Sequence, residues 1–143
     1  CHDHPFARWT RDQFWETAAF FARVPAAGAD PAALAVPIPD TARTARPRLL
    51  DGRAPDLPPR VNPATGRAAL AGWVTAPGNP YFARNAVNRV WAVLFGTGLV
   101  EPLDDLSDTN PASHPELLDE LATGFAAGGF DARPLIEGVV RSR

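Results

Sequence analysis

Lysine and methionine are absent from the 143 residues, and cysteine occurs once. All 14 basic residues are therefore Arg. Together with the heavy use of Ala, this reads as a high-GC coding bias rather than as phosphate recognition. The Arg residues are scattered and the net charge is −2, which gives no electrostatic footprint for nucleic acid. One Cys excludes an internal disulfide framework. No run of about 18 consecutive apolar residues occurs, so no transmembrane segment is expected. A G-x-S-x-G elbow, a phosphate loop and a dinucleotide fingerprint are all missing. Glu16, Glu101, Glu116 and Glu120 offer carboxylates, but nothing in their spacing assigns an acid–base pair. No targeting signal can be read in the residues given, and residues 139–143 continue a helical pattern without a stop signal. The expectation is an internal fragment of a larger multidomain protein.

What is abundant is apolar side chain, at 45%, and proline, at 16 residues. Nine of those prolines fall between Pro25 and Gly66. The composition predicts a mainly α protein, with helical segments joined by a long Pro-rich connector. Residues 1–24 read as the end of a first domain, 25–66 as the connector and 67–143 as the first part of a second, helical domain. In the first zone Thr10-Arg11-Asp12-Gln13 forms a capping box. Phe14, Trp15, Ala18, Ala19, Phe21 and Ala22 follow at near-helical spacing, up to the stop at Pro25. In the connector, Pro removes backbone donors and fixes φ, so long helices and central strands are excluded. The run Leu34-Ala35-Val36-Pro37-Ile38 suits an edge strand or an extended segment.

The third zone predicts four helices. Residues 68–75 carry Leu70, Trp73 and Val74. Asn79-Pro80 caps and opens a helix that ends at Gly96, with Val87, Val90, Trp91 and Leu94 toward the core. Ser113-His114-Pro115-Glu116 reads as a second capping box, before Leu117, Leu118, Leu121 and Phe125. Asp131 caps the last helix, with Leu135, Ile136, Val139 and Val140 as its apolar residues.

Two places invite chemistry. Cys1-His2 is the second half of C-x-x-C-H, in which two Cys make thioethers to haem and the His ligates iron. The same segment admits other readings. His2 and His4 form a metal pair of the kind found in Zn²⁺ hydrolases, or they cap and pack as loop residues, or Cys1 is a lipid-anchored terminus. The second place is the helix after Pro80, where Arg84, Asn85, Asn88 and Arg89 share one arc at about 100° per residue. The natural partner of that arc is the acidic loop holding Asp104, Asp105 and Asp108. The expectation is a structural clamp, with the loop paired to Arg84 or Arg89. The Asp spacing does not match a Ca²⁺ loop. His114, in the first turn of the next helix, reads as a surface imidazole.

Taken in combination, the motifs resemble a family. Cys1-His2-Asp3-His4-Pro5-Phe6-x-x-Trp9-Thr10 with Ala18-Ala19-Phe20-Phe21 resembles the end of one domain in large planctomycete proteins of unknown function. Asn79-Pro80-Tyr81-Phe82-Ala83-Arg84, Val87-Asn88-Arg89-Val90-Trp91 and Leu94-Phe95-Gly96-x-Gly98-Leu99-Val100-Glu101-Pro102 resemble the domain that follows it. Asp104-Asp105-Leu106, Thr109-Asn110-Pro111 and Ser113-His114-Pro115-Glu116-Leu117-Leu118 extend the match. The resemblance implies an exported protein, often with an additional cytochrome c-like domain, and a segment written C-x-Q-C-H-D-H-P-F in other members. It therefore implies haem c, with Cys1 as a thioether residue, His2 as an axial ligand and redox proteins as partners. The first Cys of that motif is not in this sequence.

Overall fold

A computed structural model describes residues 3–5, 8–24 and 27–142. Among them the architecture is mainly α, with five α-helices and one two-stranded antiparallel ladder. The chain divides into two compact units, Cys1–Val74 and Thr75–Arg143.

In the first unit, α1 (Arg11–Ala18) begins at the expected capping box. Gln13 N donates to Thr10 Oγ1 at 3.3 Å, and Thr10 N to Gln13 Oε1 at 2.9 Å. The helix is shorter than its apolar pattern suggests. At Ala19 it tightens into a 3-10 turn, Ala19–Phe21. With 3.0 rather than 3.6 residues per turn, the phase of the apolar face changes. Ala19 and Phe20 are buried, while Phe14 and Phe21, both expected on the apolar face, stay 52% and 58% exposed.

The Pro-rich stretch lacks long elements, as its composition dictates, yet it is packed. Asp30 Oδ1 accepts from Ala32 N at 2.8 Å and opens a 3-10 turn at Pro31–Leu34. β1 (Val36–Pro37) pairs with β2 (Thr44–Ala45) in the register Val36↔Ala45, Pro37↔Thr44. Leu34, Ile38, Ala45, Leu49 and Val61 are buried between the prolines. Leu34 and Val61 close a small core with Ala22 and Val24. α2 (Thr65–Val74) starts three residues before the expected Ala68. Its buried Gly66 lies against the Phe20 carbonyl, where an added Cβ would collide with the oxygen.

The second unit is built from α3 (Phe82–Phe95), α4 (Pro115–Ala127) and α5 (Ala132–Arg141). Regular turns of α3 begin two residues after the expected Pro80. Asn79 still caps its first turn, with Oδ1 accepting from Tyr81 N at 3.0 Å and Phe82 N at 3.2 Å. Gly96 ends the helix at φ 80°, in the left-handed conformation expected of it. The capping box expected at Ser113 does not form. His114 occupies the cap position, and the Ser113 hydroxyl donates instead to Leu99 O at 3.1 Å. Asp131 caps α5 as expected, accepting from Arg133 N at 3.0 Å.

The core of this unit joins Ala83, Val87, Leu99, Val100, Leu118, Ala122, Phe125, Leu135 and Val139. Phe130, at a positive φ of 62°, closes one edge by meeting Phe82 and Phe125 edge-on at 5.1 and 5.5 Å. Leu94, expected to face the core, does not, and two of the four apolar residues of α5 are also exposed. Leu94 is 39% exposed near the end of α3, and Ile136 and Val140 are 40% and 66% exposed on α5. Among the described residues no helix is long and apolar enough to cross a membrane.

Candidate functional site

The arc on α3 and the loop between α3 and α4 meet in one hydrogen-bonded assembly. At its centre is Asn88, the one polar side chain of the arc that the fold takes wholly out of water, at 0% exposure. One helical step places residue 88 about 100° from the buried Val87, at the border of the apolar stripe rather than on its far side. Its amide is used from both ends. Asn88 Nδ2 donates to Val100 O at 2.9 Å, and Val100 N donates to Asn88 Oδ1 at 2.9 Å. The side chain thus supplies Val100, itself buried, with the two hydrogen bonds that a neighbouring strand would otherwise give.

Gly98 is the other requirement for this approach. An added Cβ would stand 2.6 Å from Val100 O, 2.6 Å from Leu103 Cδ2 and 2.9 Å from Asn88 Oδ1. Glu101 then folds back on the same turn, its Oε1 accepting from Gly98 N at 2.6 Å. Asn110 ties the far side of the loop, with Nδ2 donating to Glu101 O and Asp105 O, both at 3.0 Å. Ser113 fastens the exit through Leu99 O.

Around that centre the remaining predicted clamp residues divide. Asn85 Oδ1 accepts from Arg89 Nε at 2.9 Å, which orients the guanidinium so that Nη2 reaches Asp104 Oδ1 at 2.8 Å. Arg84 pairs elsewhere. Its Nε lies 2.8 Å from Asp119 Oδ1 on α4, an ion pair by distance that lacks the alignment of a hydrogen bond. Arg84 and Asp108 line one cavity of about 90 Å³, with Tyr81 and Asn110, without pairing to each other. Asp105 is exposed and enters the network through its backbone, donating to Pro102 O at 2.9 Å.

Cys1 and His2 lie outside the described residues. His4 is exposed, and its backbone N donates to Trp9 O at 2.8 Å. Asp3 Oδ1 accepts from Arg11 N at 2.7 Å, so this segment is fastened to the start of α1. Among the described residues no group of three or more His, Cys, Asp or Glu side chains is placed to hold a metal ion.

The first unit has a polar centre of its own that residue spacing did not single out. Asp51 Oδ2 accepts from Arg53 Nε and Nη2 at 2.9 and 2.7 Å and from Trp73 Nε1 at 2.9 Å, while Oδ1 accepts from Arg53 N at 2.9 Å. Those hydrogen bonds, led by the Arg53 guanidinium, hold the Asp51 carboxyl down at about 2. The D-x-R spacing recurs at Asp131 and Arg133, whose hydrogen bonds also lower the carboxyl of Asp131.

No curated protein and no solved structure matches the chain. The family model described as PSD1, a protein of unknown function (DUF1553), matches residues 66–143. That stretch spans more than half of the chain and holds α3, α4, α5 and the whole Asn88-centred loop. The chain belongs to the DUF1553 family.

Proposed function

We propose that the unit Thr75–Arg143 is a structural and interaction module that holds the acidic loop of residues 101–110 in one conformation and presents its outer carboxylates to a partner. The observation that carries this reading is the burial of Asn88 with both ends of its amide spent on Val100. A buried polar side chain is costly unless satisfied. Here it is satisfied entirely by the backbone at the base of the loop, while Asp104, Asp105 and Asp108 face outward. Asn88→Ala tests it, since Val100 N–H and C=O then lose their partners at a cost of about 1–3 kcal/mol each. Hydrogen exchange at the amides of residues 98–110 is expected to accelerate more than elsewhere in the unit. Unchanged exchange there overturns the reading.

A second reading rests on a different observation, the order Cys1-His2-Asp3-His4-Pro5-Phe6. A thiol followed directly by an imidazole is the donor chemistry that covalent haem requires, with Cys1 as thioether residue and His2 as iron ligand. Haem bound there would supply one-electron transfer, in an exported protein that works with redox partners. Expressing the protein with cytochrome maturation machinery and recording a pyridine haemochrome spectrum tests it. A haem c spectrum is expected, weakened by Cys1→Ser, and no covalent haem overturns the reading. Elemental analysis that finds zinc in place of iron moves the assignment to a metal-dependent hydrolase using His2 and His4.

A further inference from the structure

We draw no further inference here: the strongest candidate, the apolar patch at the C-terminal end of α3 where Val93, Leu94 and Phe95 stand exposed beside Trp91, is an unpartnered face, and nothing in the structure shows what covers it.

Discussion

In the unit Cys1–Val74 the long loops are fastened at the surface. Arg43 reaches Asp12 at 2.7 Å, Arg48 reaches Glu16 at 3.3 Å, and Arg53 and Trp73 converge on Asp51. In the unit Thr75–Arg143 the base of the main loop is also fastened from within, by the Asn88 amide at 0% exposure. The two solutions follow from what each stretch has available. Between its prolines the first unit can close only a small apolar core, so polar ties span the gaps. The second unit packs three helices around a larger core, and the buried Asn88 holds the base of the loop against it while Glu101, Asn110 and Ser113 tie the rest. The lesson concerns sensitivity. Ties at the surface respond to pH and salt and are individually weak, whereas a tie inside the core is strong and fails through its environment.

Asn88→Asp tests the inner tie most severely. The change preserves shape but replaces the donor to Val100 O with an acceptor and brings a carboxylate into the core. A loss of about 3–5 kcal/mol is expected at neutral pH, the range for an uncompensated buried charge. Burial raises the folded-state pKa of the new carboxyl above its unfolded value of about 3.9. The penalty is therefore full above the folded pKa and relieved as pH falls through it, because the protonated acid can again donate to Val100 O. Denaturant unfolding at pH 7 and pH 4.5 checks the sign. A mild loss that is equal at both values would place residue 88 in contact with water. Gly98→Ala comes next. The three close contacts of the added methyl must be relieved by moving the loop, at about 1–3 kcal/mol. Combined with Asn88→Ala it should cost less than the sum of the two, because both act on the same approach.

Much of this architecture was legible locally. The Thr10–Gln13 box, the Asp131 cap and the left-handed Gly96 each depend on residues within a few positions, and all three form. Ser113 shows the limit, because the same residue types would make a capping box had Leu99 O, 14 residues away, not claimed the hydroxyl. Of the residues grouped by spacing, the fold joins Asn85, Asn88, Arg89 and Asp104 in one assembly and sends Arg84 to Asp119 instead. Periodicity put Asn88 on a polar arc with Arg84 and Arg89, yet it lies where that arc meets the apolar stripe. The cost of Asn inside a helix was the available signal that it has a special task. The pairing of Arg84 with Asp119 and of Trp73 with Asp51 depends on how helices and loops pack, which spacing does not encode.

The outer ties break differently, and Asp51→Asn sharpens the contrast through pH. The Asp51 carboxyl sits at about 2 in the folded chain, against an ordinary value of 3.8. A lowered folded pKa contributes stability that is complete above the unfolded value and is lost as pH falls through the folded one. Wild-type stability in this unit should therefore decline between about pH 4 and pH 2. The Asp51→Asn variant should lack that part of the decline and be modestly less stable at neutral pH. Trp73 fluorescence, which senses the loss of its partner, follows both effects. Identical acid titrations of the two proteins would show that the tie carries no folding energy.

The smallest expected effect belongs to Arg89→Ala. Before the fold is known, Arg89 is one of two Arg residues, with Arg84, expected to pair with the acidic loop. In the structure its side chain is 53% exposed and that of Asp104 is 82% exposed, so water screens the attraction at 2.8 Å. Exposed pairs of this kind contribute roughly 0.2–1 kcal/mol. A double-mutant cycle with Asp104→Ala, run at low and high salt, isolates that coupling and should show it shrinking as ionic strength rises. A coupling well above about 1 kcal/mol that is insensitive to salt would mean that the loop is held from outside as firmly as from within, and the contrast between Asn88 and the surface ties would then fail.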